Sequence, residues 1–314
     1  MRDLRYFVNN GSLSDVLRKQ NMKDDYEFPF TFNLNVGCIF GGCKYCYVRK
    51  GSRKWKIIWG RDVRLKARLP EKLDRELSNK YQDLPQHLKR VQVGNACEVF
   101  DPKVLSFAQR ELDRDLMRAT LEVFERQWNN GNHWMVHVVT KSHFVTRYLD
   151  ILERMRHMVQ IELTLVCPDE ALTRRFELYS SSVQNRLRAI QQLSDAGVFV
   201  RLMAMPFMWG RNEARELRII AFDRGARGFK HKSLNYFDRD DMLRGIATRA
   251  GRRNDVIFND VLVESGERAD DQMTTVGMPE WLGKAAWGEV TPREMPVLRS
   301  GYAQLNEINW GYLI

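Results

Sequence analysis

The chain has 314 residues, 44% of them apolar, and carries a net charge of +10 with a pI near 9.4. That length suits one large α/β domain, or one domain with an appendage, and the composition is that of a chain able to bury a proper core. No run approaches the roughly 20 apolar residues of a bilayer-spanning helix, and the opening Met1-Arg-Asp-Leu-Arg-Tyr lacks the charged-then-apolar layout of a secretory signal, so a cytoplasmic monomer that avoids membranes is expected.

Along the chain, short apolar runs alternate with longer helical patterns, the layout of βα units around a parallel sheet. Residues 1–29 read as an N-terminal extension. The first strand is expected at Phe30–Val36, with a helix over Lys44–Lys50. A helix over Pro70–Tyr81 leads to a strand at Arg90–Gly94. Helix Arg114–Trp128 precedes strand Met135–Thr140, and helix Phe144–Arg156 precedes strand Gln160–Val166. Helix Ser182–Ala196, strand Phe199–Met205, helix Glu213–Arg224 and strand Gly228–Lys232 complete the series. Gly197 stands just behind Ala196, the place of a helix-ending glycine. Six such units predict a partial (β/α)6 barrel over residues 30–234, with its chemistry at the C-terminal ends of the strands. Beyond Asn235 the pattern fades into glycines and prolines, and residues 235–314 read as a loop-rich C-terminal extension covering the barrel.

Charge is concentrated between Arg49 and Lys72. Ten basic residues there oppose only Asp62 and Glu71, a net charge of +8. The same segment carries two indoles. Cations hold phosphates, and exposed aromatic rings stack on bases. Arg53, Lys54, Trp55, Lys56 and Trp59 are therefore candidate nucleic-acid contacts. Arg252 and Arg253, in the basic stretch from Arg244, could extend a phosphate track; a merely solvated face is the alternative.

Five cysteines in a chain without an export signal argue against a disulfide framework. Three lie in Asn35-Val-Gly-Cys-Ile-Phe-Gly-Gly-Cys-Lys-Tyr-Cys-Tyr, a C-x4-C-x2-C spacing directly after a predicted strand. Thiolates suit zinc or iron–sulfur. A structural zinc site wants four protein ligands, commonly two Cys-x-x-Cys pairs, whereas Cys97 and Cys167 stand alone and the nearest histidine is His87. Cys38, Cys43 and Cys46 would leave one iron of a [4Fe–4S] cluster open. That iron can take the amino and carboxylate groups of S-adenosylmethionine, and an electron passed to the sulfonium then yields a 5′-deoxyadenosyl radical. Zinc and three uncoordinated thiols remain as alternatives. Gly37, Gly41 and Gly42 allow a tightly wrapped loop, and Tyr45 occupies a Cys-x-aromatic-Cys position where a ring can pack near the adenine or simply fill space.

The chain resembles the radical S-adenosylmethionine superfamily, and within it the spore-photoproduct-lyase-like group. The resemblance runs from Asn33 to Phe237. It rests on the cysteine loop, Val63-Arg-Leu-Lys with the Pro70-Glu-Lys-Leu-Asp-Arg-Glu-Leu helix, Val93-Gly-Asn-Ala-Cys, His137-Val-Val-Thr-Lys, Ile161-Glu-Leu-Thr-Leu, the Arg186–Gly197 helix and Met203-Ala-Met-Pro. It implies that Cys38, Cys43 and Cys46 ligate the cluster and that Lys141 meets the carboxylate of S-adenosylmethionine. It also implies that Thr164 and Asn95 contact the amino group, that Cys97 donates hydrogen to a product radical, and that Tyr47 relays a hydrogen atom. A flavodoxin or ferredoxin would supply electrons. Two departures limit the transfer: the loop has one residue more than the usual C-x3-C-x2-C, and neither the basic Trp-containing insert nor the tail matches.

The expected activity is hydrogen abstraction from a nucleic-acid base or base substituent, with DNA ahead of RNA, a thymine derivative as target, and hypermodification or rearrangement ahead of photoproduct-type repair. A radical enzyme acting on a small molecule or peptide is a second possibility. A basic nucleic-acid-binding protein with a structural metal site is a third.

Overall fold

The computed structural model describes residues 4–10, 15–20, 28–40, 42–43, 45–46, 48, 56–207, 211–233 and 274–276. In chain order these form β1 (Arg5–Asn9), β2 (Arg18–Lys19), β3 (Phe30–Phe32), β4 (Asn35–Val36), β5 (Asp62–Lys66), α1 (Leu69–Asn79) and β6 (Arg90–Val93). α2 (Pro102–Leu112), α3 (Leu116–Asn129), β7 (Met135–Thr140), α4 (Leu149–Arg154) and β8 (Val159–Thr164) follow. The series ends with α5 (Glu170–Phe176), α6 (Val183–Asp195), β9 (Phe199–Phe207), α7 (Arg211–Asp223), β10 (Gly228–Ser233) and β11 (Thr274–Val276).

One sheet runs in the order β2-β3-β6-β7-β8-β9-β10-β11. From β3 to β10 every pairing is parallel and each strand lies beside the next in sequence, as six βα units require. β2 and β11 pair antiparallel on the two edges. This is the expected partial barrel. No helix among the described residues is long and apolar enough to cross a membrane.

The strands are buried on both faces, yet they alternate. In β8, Val159, Ile161 and Leu163 join the main apolar cluster, while Gln160, Glu162 and Thr164 face the other way. Parallel register places His137 beside Gln160 and Glu162 beside Arg201. On that inner face Glu162 accepts from Arg201 Nε at 2.8 Å and meets His137 Nε2 at 2.7 Å. Phe28 stacks on His137, ring centroids 4.4 Å apart. That inner face is thus polar: His137, Arg201 and Glu162 pair there, while the Gln160 amide and the Thr164 hydroxyl have no hydrogen-bond partner among the described residues, and the apolar layer lies under the helices. Helix starts are fixed by side chains: Asp101, Asp115, Asp169 and Ser182 each accept a first-turn amide. α6 ends at Ala196 with Gly197 at φ +75°.

The expected strand Phe30–Val36 is two strands in two sheets. At Asn33 and Leu34 the chain leaves the barrel, and β4 pairs antiparallel with β5 in a second sheet, order β1-β5-β4. Half of the basic segment is therefore structural. Val63 and Leu65 are fully buried, and Asp62 holds Arg5 with two bonds of 2.7 Å. The helix expected over Phe144–Arg156 is a 3-10 turn, His143–Tyr148, followed by the short α4. Helices α2 and α5 have buried stripes too short to stand out as periodicity. Of the helix expected at Lys44–Lys50 only residues 45, 46 and 48 are described, and nearly all of residues 235–314 lie outside the described residues.

Gly37 hinges the exit from β4. Its φ is +95°, and a Cβ there would lie 2.1 Å from the Asp62 carbonyl oxygen. Gly37→Ala is expected to lose at least about 1–2 kcal/mol from the left-handed backbone alone, with the clash in addition. A denaturant midpoint equal to that of the parent protein would show that the loop has another route out of the sheet.

Candidate active site

The cysteine loop begins where β4 ends. Asn35 Nδ2 donates to the Gly37 carbonyl at 2.6 Å, and Lys66 Nζ donates to the Asn33 carbonyl at 2.7 Å, so both flanks of the turn are tied down. Cys43 is buried, Cys38 and Cys46 are half-buried, and none of the three is in a disulfide. The Cys46 amide donates to the Cys43 carbonyl at 3.3 Å. Burial pushes the Cys43 thiol well above its ordinary value; Lys141 pulls it back, while Glu177, Cys46 and Cys38 raise it further. The three sulfurs thus share one electrostatic neighbourhood in which bare thiolates repel. Metal charge is what makes such a set stable as thiolates.

No three His, Cys, Asp or Glu side chains among the described residues converge as ligands to a single ion. A cubane cluster asks for something different, since each of its three cysteines binds a separate iron. Three soft thiols carried on one short loop suit the ligand set of such a cluster.

Lys141 follows the last residue of β7. Its Nζ donates to Glu177 Oε1 at 2.8 Å and to the Tyr45 hydroxyl at 2.6 Å, and it lies 4.8 Å from the centroid of the Tyr45 ring. Tyr45 in turn donates to Glu177 Oε1. Burial lowers the Lys141 amine, and the charge of Cys43 opposes that shift. Glu177 is fully buried and also meets Arg186 Nη2 at 2.6 Å. Arg186 bonds the carbonyls of Ser181 and Thr164, both at 2.8 Å, and the Ser180 hydroxyl. One carboxylate therefore gathers a lysine, an arginine and a tyrosine beside the thiols.

Thr164 ends β8 with a buried Oγ1 that has no hydrogen-bond partner among the described residues. Such an orphan costs about 1–3 kcal/mol, which a ligand amine can recover. On the neighbouring loop Asn33 makes the connections. Its Nδ2 donates to Asn95 Oδ1 at 2.8 Å, and its Oδ1 accepts from the Ala96 amide at 2.9 Å and from Cys97 Sγ at 3.5 Å. Burial pushes the Cys97 thiol up to about 12, with Cys38 adding to the rise, so it stays an S–H group at neutral pH. Glu98, held high by burial, accepts from Thr140 Oγ1 at 2.6 Å and from the Lys141 amide at 2.8 Å, which fixes the backbone from which Lys141 projects.

Lys141, Tyr45, Cys43 and the other two thiols form one cluster of groups, and Asn95 and Cys97 share the Asn33 network. The buried Tyr45 hydroxyl is engaged by Lys141 and Glu177. Of the nucleic-acid candidates, Lys56 is exposed and Trp59 half-buried. Tyr47, Arg53, Lys54, Trp55, Arg252 and Arg253 lie outside the described residues. Asn33, Glu98, Glu177 and Arg186 were not singled out from sequence. For Arg186 a signal existed: it falls on the apolar stripe Val183–Leu187–Ile190 of α6, where a charge needs a buried partner.

No protein-family model matches the sequence, and no curated protein matches it. Solved structures do match. A cysteine-to-alanine variant of spore photoproduct lyase, with dinucleoside spore photoproduct, aligns at 14% identity over 81% of this chain and 84% of its own, with a TM-score of 0.53. A tyrosine-to-phenylalanine variant of the same enzyme aligns at 13% identity over the same shares, with a TM-score of 0.52. The chain has the fold of that lyase.

Proposed function

We propose that the chain is a radical enzyme that holds a [4Fe–4S] cluster on Cys38, Cys43 and Cys46 and receives S-adenosylmethionine between the cluster and the barrel top. The observation that carries this reading is the set of three thiols, none in a disulfide, beside Lys141 at the C-terminal ends of six parallel strands. When bound, the cluster supplies the electron that splits S-adenosylmethionine into methionine and a 5′-deoxyadenosyl radical.

The chain's own residues do the rest. Lys141 offers a half-buried ammonium to a carboxylate, oriented by Glu177 and Tyr45. Thr164 offers a buried acceptor to an amine, and Asn95 stands nearby on the Asn33 network. Cys97 keeps its proton and can give a hydrogen atom to a carbon radical. Tyr47, next to Cys46 in sequence, is the proposed relay.

For the substrate we propose a base in nucleic acid, with a thymine derivative in DNA first and hypermodification or rearrangement ahead of photoproduct repair. Support comes from the fold shared with a lyase solved with a dinucleoside photoproduct and from the +8 segment with Trp55 and Trp59. A base in duplex DNA would have to be flipped out to reach the barrel.

The test is label transfer. Reduced enzyme, S-adenosylmethionine and DNA carrying deuterated thymine should give deuterium in 5′-deoxyadenosine; cleavage without transfer excludes thymine. Binding to DNA should weaken steeply with salt, with a log–log slope of about −0.9 per phosphate contacted. A flat salt response with intact cleavage would instead favour a small-molecule or peptide substrate.

A further inference from the structure

We propose that the exposed rim beside Lys141 and Glu177, formed by His143, Phe144, Arg147, Leu178, Tyr179 and Arg188, is the docking surface for a small acidic one-electron carrier. This rests on the radical reading above, which requires one electron from outside the chain for each cleavage.

Position comes first. His143 is two residues beyond Lys141, and Leu178 directly follows Glu177. The His143 amide donates to Ser181 Oγ at 2.9 Å, and its Nδ1 meets the same hydroxyl at 2.7 Å. Ser180 Oγ bonds Glu177 Oε2 at 3.2 Å. Lys141 and Glu177 are the two groups outside the cysteine loop whose charges act on Cys43. The rim is thus linked through Ser181 and Ser180 to Glu177, whose charge acts on a candidate cluster ligand. Electron transfer falls steeply with distance, so a donor must dock close to the cysteine loop.

Charge and shape point to the kind of partner. Arg147 and Arg188 are exposed, and among the described residues neither makes an ion pair. By contrast, Arg118, Arg154 and Arg174 on neighbouring helices each hold an acid. The Arg147 guanidinium lies 4.4 Å from the Phe144 ring centroid, and Phe144 lies 4.2 Å from His143. Burial, then Arg147 and Arg188, hold the His143 imidazole below its ordinary value, which marks both guanidiniums as its neighbours.

Beside them Leu178 is 53% exposed and Tyr179 44%. An aliphatic Leu neither pairs with phosphate nor stacks on a base, whereas an apolar centre ringed by charge is how a protein partner is received. The partner we assign to it is a protein with an acidic face, and binding of nucleic acid here is the opposing outcome of the test. The step is a pure electron transfer: the carrier is oxidised by one electron, the cluster is reduced by one, and no bond or proton moves.

The experiment uses the full chain with its cluster reconstituted, and flavodoxin hydroquinone as the probe. Complex formation and the rate of cluster reduction are followed by absorbance, with dithionite as a small reductant in parallel. The doubly charge-reversed variant Arg147→Glu/Arg188→Glu is expected to slow flavodoxin-driven reduction at low salt by about tenfold or more, and to flatten its salt dependence. Dithionite reduction, S-adenosylmethionine affinity and DNA binding should be unchanged. Leu178→Ser should weaken the flavodoxin complex several-fold while leaving the salt slope alone. An unchanged flavodoxin rate, or loss of DNA binding in place of flavodoxin reduction, overturns the inference. A chain that takes up no iron, or a cluster that dithionite cannot reduce, overturns the radical reading itself and is told apart by the dithionite arm.

Discussion

Cys43→Ala should give a folded protein that holds almost no iron. After anaerobic reconstitution the parent chain is expected to be brown with about four irons; the variant should be nearly colourless. Cys43 is the most telling of the three because it is the most buried and the one beside Lys141. A soft thiolate there has no substitute, and Cys43→Ser should fail almost as badly because a hydroxyl is a poor ligand for iron–sulfur. Formation of 5′-deoxyadenosine should fall by more than about 100-fold, beyond the 10- to 100-fold typical of losing an outer partner of a metal site. The fold should survive, because Cys43 is not part of the main apolar cluster, so far-ultraviolet dichroism serves as the control. Full iron content in Cys43→Ala would remove Cys43 from the ligand set. A colourless parent chain with one zinc would instead establish the structural-metal reading.

The elements legible in the sequence were those whose side chains repeat with a clear period over enough residues. Strand Met135–Thr140 was placed to the residue, and α3, α6 and α7 to within about two residues. Apolar runs in β6 to β9 sufficed to order the parallel sheet. What failed was what depends on contacts distant in sequence. Nothing in Phe30–Val36 announces that the chain changes sheets at Asn33; that follows from Asn33 reaching Asn95 and Ala96, more than 60 positions away. β5 was hidden by its charges, because Asp62 is neutralised by Arg5 of β1 and Lys66 is turned in toward the Asn33 carbonyl. Lys66 accordingly sits at about 8, lowered by burial.

The site divides the same way. Cysteine spacing is local and could be read directly. Lys141 and Cys97 came with the resemblance; in the structure Lys141 meets Glu177 and Tyr45, and Cys97 lies on the Asn33 network. Glu177 could not be found locally. It stands behind a short helix among serines, and its importance lies in partners 132, 36 and 9 positions away, namely Tyr45, Lys141 and Arg186.

Glu177→Ala should accordingly be the most destabilising single change at the site, by about 3–5 kcal/mol. The reasoning runs from the groups left behind. Arg186 is fully buried and would keep its bonds to the Ser181 and Thr164 carbonyls and the Ser180 hydroxyl while losing its anion. Lys141 would lose the same anion, but its side chain is 21% exposed and can draw on solvent. The two couplings must therefore differ. A double-mutant cycle pairing Glu177→Gln with Arg186→Met is expected to give an interaction of several kcal/mol, and the cycle with Lys141→Met about 1 kcal/mol. Glu177→Gln alone should cost less than Glu177→Ala, since an amide oxygen can still accept from Lys141 or Tyr45, though its NH2 must face a donor. Chemical denaturation of the three single and two double variants decides it. A loss below about 1 kcal/mol in Glu177→Ala, or a larger coupling to Lys141 than to Arg186, would mean that solvent reaches this carboxylate and that Lys141 is held by something else. If the order is as predicted, Glu177 is anchored to the fold through Arg186 and leaves Lys141 the looser partner. A lysine that must release one carboxylate to take another needs that arrangement.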